Sequence, residues 1–214
     1  MIRVVVVDDH HLVRQGIRAL IGQAPDMQVI GEAEDGQGAL ELIGRSPPDV
    51  VVADVAMPRL NGIQMIRHIV KLGVNTKVVI LSMYSDETLV RQAIKYGAAG
   101  YLLKSSVAEE LLLAIRAAAK GDIYLSPQVS RALLDDYISQ EEGGDASPLD
   151  ALTPREGQVF QLVAEGNSNT RIAKLLNLSP KTVEKHRASL MAKLGVNDLP
   201  GLMRVAIKQK LIFI

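Results

Sequence analysis

The sequence predicts an α/β domain built on a five-stranded parallel sheet with helices on both faces, followed by a small all-α domain containing a helix-turn-helix. Three observations predict it. Five apolar strand-like runs alternate with five helical stripes over residues 1–120, the pattern of a parallel sheet with crossover helices. Most of these runs are unbroken rather than alternating, as in strands buried on both faces. Residues 151–214 hold 10 basic and 4 acidic residues in a chain whose overall charge is zero, and this basic segment reads as three capped helices.

The elements follow in order. Ile2 to Val7 is the first buried run and ends in Asp8-Asp9. Leu12, Val13, Ile17, Leu20 and Ile21 then recur at helical spacing. Met27 to Ala33 is a strand ending in Glu34-Asp35, and Ala39, Leu40, Leu42 and Ile43 mark a helix stopped by Pro47-Pro48. Val50 to Ala53 is a central strand that delivers Asp54 to its carboxyl end, with Pro58 fixing the loop beyond. Ile63, Ile66, Ile69 and Val70 give a third helical stripe. Lys77 to Ser82 is a strand, and Leu89, Val90, Ala93 and Ile94 form a helix closed by Gly97. Ala99 to Leu103 is the last strand, ending at Lys104, and Val107 to Lys120 is the final helix of the unit.

Residues 121–148 connect the two domains. Ser126-Pro127 caps one amphipathic helix carrying Val129, Leu133, Leu134, Tyr137 and Ile138. Glu141 to Pro148 has breakers, acidic residues and no periodicity, which predicts a flexible acidic linker able to shield a basic neighbour.

The second domain spans 149–214. Thr153-Pro154-Arg155-Glu156 is a capping box, opening a helix with Val159, Phe160, Leu162 and Val163 that closes at Gly166. Ser168 opens a second helix with Ile172, Ala173, Leu175 and Leu176. After the turn Asn177-Leu178-Ser179, Pro180 starts a third helix that runs to Leu194. A short helix, a tight turn and a longer helix make the helix-turn-helix arrangement. Val183, Leu190 and Leu194 share the face of the third helix expected to be buried, while Lys181, Lys185, Ala188 and Ala192 lie opposite. A small, basic outer face suits the major groove. His186, Arg187 and Ser189 lie on its flanks, better placed for phosphates.

Composition excludes several classes. The chain has no cysteine, so it carries no disulfide framework and no thiolate metal site. No apolar stretch reaches the roughly 20 residues that span a bilayer. The N-terminus enters a strand with no basic n-region or small-residue cleavage site. A cytoplasmic protein without membrane contact is the expectation.

Every predicted strand end carries a polar group: Asp8-Asp9, Glu34-Asp35, Asp54, Ser82 and Lys104. In open α/β sheets that rim is where ligands bind. Exposed strand ends are polar in any case, and Asp54 alone reads equally as a loop carboxylate capping the next helix. Three mutually repelling carboxylates invite a hard cation, and magnesium suits oxygen ligands that leave room for water and phosphate. Lys104 would cover phosphoryl oxygens, Asp54 would attack phosphorus, and Ser82 would hydrogen-bond the product. His10 and His11 follow the acidic pair, but adjacent residues rarely converge on one ion, so solvent-facing roles are expected. His68 has no partner at ligand spacing and reads as structural, and Met57 and Met65 read as apolar filling.

Residues 1–120 resemble the receiver domain of bacterial two-component response regulators. The resemblance rests on Asp8-Asp9, Asp54-Val55-Ala56-Met57-Pro58, Asn61-Gly62, Ser82 and Gly100-Tyr101-Leu102-Leu103-Lys104. It implies a CheY-like, flavodoxin-like sheet of order 2-1-3-4-5. Asp54 would be the phosphoacceptor for a sensor histidine kinase. Asp9, Asp54 and the Ala56 carbonyl would ligate Mg2+, with Asp8 acting through water. Ser82 and Tyr101 would be the switch pair; as a plain packing residue, Tyr101 would occupy an edge strand.

The stretch from Leu152-Thr153-Pro154-Arg155-Glu156 through Leu194-Gly195-Val196 resembles the LuxR-type DNA-binding domain. Together the two resemblances imply a NarL/FixJ-type transcriptional regulator whose last helix, Leu199 to Lys210, serves dimerisation on double-stranded DNA. By position Lys181, Thr182, Glu184, Lys185, Arg187 and Ala188 would face DNA. Two departures stand out. Gly157 removes the packing partner of Leu152 and should weaken the first turn. Glu184 stands where Lys is frequent, and it can accept from cytosine N4.

The expected function is phosphorylation-controlled homodimerisation and sequence-specific DNA binding, without enzymatic activity of its own. One alternative is a DNA-binding regulator whose receiver is never phosphorylated. Another is an aspartyl-phosphate phosphatase, which needs a second acid where this chain has Ala56.

Overall fold

Val4 to Val7 and Val50 to Ala53 are almost wholly buried, and successive residues enter different cores. Val5, Val7, Val51 and Ala53 pack on one face of the sheet, and Val4, Val6, Val50 and Val52 on the other. This is why the runs show no polar alternation: side chains point to opposite faces, and both faces are covered.

The computed structural model describes residues 1–131, 133 and 147–212. The chain divides into two units, Met1–Gly143 and Gly144–Ile214. In the first, β1 (Ile2–Val7), β2 (Met27–Ala33), β3 (Val50–Asp54), β4 (Lys77–Ser82) and β5 (Gly100–Leu103) alternate with α1 (His11–Gly22), α2 (Gly36–Arg45), α3 (Gly62–Leu72), α4 (Glu87–Lys95) and α5 (Val107–Lys120). A further short strand, β6 (Tyr124–Leu125), follows α5.

The sheet runs β2-β1-β3-β4-β5-β6 with every pair parallel. The expected 2-1-3-4-5 order is present, with one strand more than the five expected. Two residues are too few to show a period, so β6 left no pattern in the sequence. Its pairing with Gly100 and Tyr101 makes β5 an interior strand. Residues 127–131 and 133 are helical, and Val129 is fully buried in the first core. The packing of the first unit therefore continues past Lys120. Leu134, Tyr137, Ile138 and the acidic stretch Glu141 to Ala146 lie outside the described residues.

The second unit is helical: α6 (Pro154–Ala164), α7 (Asn169–Leu176), α8 (Pro180–Lys193) and α9 (Leu199–Lys208), around a core that includes Phe160, Ile172, Val183, Leu190 and Leu202. Each helix opens on a side-chain cap: Thr153, Ser168, Ser179 and Asp198. The capping box closes in both directions despite Gly157, and Leu152 is buried. Asn177, at φ 52°, makes the left-handed turn between α7 and α8, a conformation that asparagine tolerates.

Candidate functional site

The strand order reverses beside β1, and β1 and β3 deliver Asp8 and Asp54 to the same edge, the position where open α/β sheets bind ligands. Asp8 is fully buried and Asp54 nearly so. Lys104, from the end of β5, donates to Oδ2 of Asp8 and to Oδ2 of Asp54, both at 2.7 Å. Burial pushes the Asp54 carboxyl above its ordinary value, further than the hydrogen bond from Lys104 brings it down. Burial also opposes charge on Lys104, but its hydrogen bonds to the two carboxylates prevail and hold the ammonium above its ordinary value.

Asp8, Asp9, His10 and Asp54 bring one potential ligand atom each to within 4.8 Å of one another. The expected acidic triad is therefore assembled. His10 is exposed, as expected, yet its Nδ1 lies 2.8 Å from Asp9 and 3.3 Å from Asp8. Its place directly after the acidic pair was the only sequence signal for this. Ala56 is half-buried, and its N–H donates to Asp54 Oδ1 at 3.3 Å.

Glu34 and Asp35 do not join the pocket. Glu34 pairs with Arg14 at 3.2 Å. Asp35 caps α2 through the Gly38 N–H and pairs with Arg59. For these two acids the ordinary explanation of polar strand ends holds.

Ser82 and Tyr101 meet through one loop. The Tyr84 N–H donates to Ser82 Oγ at 3.0 Å, and the Tyr101 hydroxyl donates to the Tyr84 carbonyl at 3.1 Å. Tyr101 is fully buried, and burial pushes its hydroxyl up to about 12. His68 places Nδ1 3.0 Å from the Gln64 carbonyl, the structural role expected. Met57 and Met65 are core residues.

In the second unit, Val183 and Leu190 are fully buried and Leu194 is half-buried. Lys181, Glu184, Lys185, Ala188 and Ala192 are exposed on α8. Thr182, His186, Arg187 and Ser189 are half-buried. Thr182 shares a hydrogen bond with the capping Ser179. Arg187 donates to Asn169 Oδ1 at 2.7 Å, which ties α8 to α7. Ser189, expected on the phosphate flank, turns its hydroxyl to Glu156 Oε1 at 2.6 Å. Glu156 also accepts from Lys193 at 2.6 Å and from the Thr153 N–H at 2.8 Å. Burial alone would raise its carboxyl, but these donors bring it down to about 2. The sequence showed Glu156 only as half of a capping box.

Residues 4–116 match the family described as "Response regulator receiver domain", and residues 150–206 match "Bacterial regulatory proteins, luxR family". The chain is 35% identical over 220 residues to the transcriptional regulatory protein DegU of Brevibacillus brevis, covering 97% of this chain and 93% of the relative. It is 34% identical over 214 residues to the oxygen regulatory protein NreC of Staphylococcus carnosus, with 98% and 99% covered. Among solved structures it resembles the response regulator ChrA of a heme-sensing two-component system, at 34% identity and a TM-score of 0.54, covering 99% of this chain and 98% of that one. It also resembles RcsB in a structure of two RcsB dimers bound to two parallel DNAs, at 30% identity and a TM-score of 0.61, covering 96% and 98%.

Proposed function

Because the chain belongs to the family of two-component response regulators that join a receiver domain to a LuxR-type DNA-binding domain, we propose that Asp54 is its phosphoacceptor and that α8 carries its DNA contacts. The observation that carries the first half is the convergence of Asp8, Asp54 and Lys104 at the switch point of the sheet. In this reaction a carboxylate oxygen of Asp54 attacks phosphorus. The bond to the donor nitrogen of a kinase phosphohistidine breaks, and the electron pair leaves with the imidazole. Lys104 already reaches Asp54 and is placed to follow a phosphoryl oxygen.

The donor set is hard and anionic, which fits Mg2+. Asp9, Asp54 and the Ala56 carbonyl would hold the ion, with Asp8 acting through water. Bound there, it would neutralise charge that otherwise repels the incoming phosphate. The Ser82 hydroxyl is released to the new dianion when the Tyr84 loop moves, and Tyr101 is the buried residue that feels that movement.

The family fold and the DNA complex of RcsB support the remainder of the proposal. Residues 1–120 act as the receiver, 121–148 as the connection and 149–214 as the DNA-binding module. Phosphorylation promotes a homodimer that places two α8 helices on double-stranded DNA. Lys181, Thr182, Glu184, Lys185, His186, Arg187 and Ala188 are the segment presented to it, while Ser189, expected on the same flank, is committed to Glu156. The cognate donor is a sensor histidine kinase, and the site of action is the cytoplasm. Among the described residues no helix is long and apolar enough to cross a membrane.

The test is intact-mass measurement after incubation with acetyl phosphate and Mg2+. One added phosphoryl group in the wild type, absent in Asp54→Asn, is the expected result. No addition to a folded wild-type chain would favour a receiver that works without phosphorylation.

A further inference from the structure

Arg14 is 6% exposed, although it lies on a helix whose neighbouring positions 15 and 16 face solvent. Its guanidinium sits behind the acidic turn rather than on the surface. Nη1 donates to the backbone carbonyl of Asp8 at 2.6 Å. Nη2 donates to Glu34 at 3.2 Å and lies 3.5 Å from His11 Nδ1. Nε is buried and, among the described residues, has no hydrogen-bond partner; it lies 3.7 Å from Glu32.

The turn that Arg14 holds is the one that carries the acids. The N-cap of α1, His10, makes no side-chain capping bond. Inside the turn, the Asp8 carboxylate accepts the His10 N–H at 2.8 Å. The Asp8 carbonyl is fixed from outside, by Arg14. One rigid fork thus joins the end of β1 to the end of β2 and sets where the Asp8 and Asp9 side chains start. Lysine has one nitrogen in place of this planar two-pronged fork, so it does not match the geometry of the two acceptors.

We infer that Arg14 is a positioning residue for the cation pocket: it orients the Asp8-Asp9 turn so that these carboxylates face Asp54. The inference rests on the reading of that pocket as a Mg2+ site. Two opposed effects make it sharp. As a buried positive charge beside the pocket, Arg14 repels a divalent cation. As a clamp on the ligand-bearing turn, it favours one. Glu32 and Glu34 offset the charge but not the clamp, so positioning wins.

The experiment is calorimetric titration of the full chain with MgCl2 alone, comparing wild type, Arg14→Met and Arg14→Lys. Loss of an outer contact to metal ligands typically weakens binding by about tenfold or more. That is the expected result for Arg14→Met, with Arg14→Lys also weakened because it keeps the charge and loses the fork. Acetyl-phosphate labelling should recover at saturating Mg2+, a split between affinity and rate that general misfolding would not give. Equal or tighter Mg2+ binding by Arg14→Met overturns the inference. Should that variant fail to fold, wild-type affinity in Arg14→Lys overturns it instead. A wild-type chain that binds no Mg2+ removes the pocket reading and this inference together. Normal wild-type binding with unaltered variants removes the inference alone.

Discussion

Lys104 donates a 2.7 Å hydrogen bond to Asp54 across 50 residues of sequence. Even so, burial keeps the Asp54 carboxyl above its ordinary value. A raised carboxylate is one whose ionised form costs folding stability. The sign follows: stability is highest below the ordinary carboxylate range and declines as pH rises through the folded value. A neutral isostere relieves that cost at neutral pH, while Lys104 keeps Asp8 as its partner. Asp54→Asn should therefore melt at a higher temperature than the wild type in metal-free buffer, while accepting no phosphoryl group. A lower melting temperature would mean that Asp54 is held more favourably than its burial implies.

Gly62 stands where α3 begins against the acid-bearing strand. A Cβ there would collide with the Asp54 carbonyl oxygen and come within 3.2 Å of Val55 Cα, both backbone atoms that cannot swing away. Gly62→Ala must push α3 or β3 aside, an overpacking cost of typically ~1–3 kcal/mol. Because the displaced atom belongs to Asp54, labelling by acetyl phosphate should slow as well. Gly44→Ala is the control, since a Cβ there meets nothing within 4 Å. Equal stability of the two variants would contradict this.

These residues also show how far sequence reaches. Asp8, Asp54 and Lys104 were legible because buried runs stop abruptly, and topology brings the ends of parallel strands to one rim. Glu34 and Asp35 ended a run in the same way, yet their side chains went to Arg14, Arg59 and the cap of α2. Nothing local separates the two outcomes, because tertiary partners decide them. Arg14 was invisible for the same reason, since an arginine within an amphipathic helix reads as a solvated face. In the second unit the buried face of α8 was legible from its period. The inward turn of Ser189 was not, because its partner lies 33 residues away.

Glu156 makes that second unit sensitive to acid. Its carboxyl stands near 2 against an ordinary 4.5. A depressed carboxylate contributes stability that is present in full above its unfolded value and is lost as pH falls through the folded one, so the window runs from about 4.5 down to about 2. Glu156 is 5% exposed, so its donors act on the carboxylate with little screening from water, while Lys193 keeps part of its side chain in solvent. Glu156→Gln keeps one oxygen for the Thr153 N–H and can turn its amide N–H toward Ser189 Oγ, but it loses the ion pair with Lys193. It should be less stable than the wild type at neutral pH, and the gap should close on acidification. Urea unfolding followed by far-ultraviolet circular dichroism at several pH values reads this directly. A gap independent of pH would show that the charge is not the cause.

The outer face of α8 separates binding from stability. Lys185 is exposed and Arg187 is tied to Asn169 at 2.7 Å. An exposed lysine contributes to a phosphate contact and little to the fold, so Lys185→Ala should melt like the wild type. It should bind duplexes selected by the wild type from a random pool more weakly, with the slope of affinity against salt reduced by about one counterion. Arg187→Ala should lose both affinity and thermal stability, because it also unties α7 from α8. Binding isotherms at three salt concentrations, with melting curves alongside, distinguish the two. Wild-type affinity and salt dependence in Lys185→Ala would show that this face does not meet DNA.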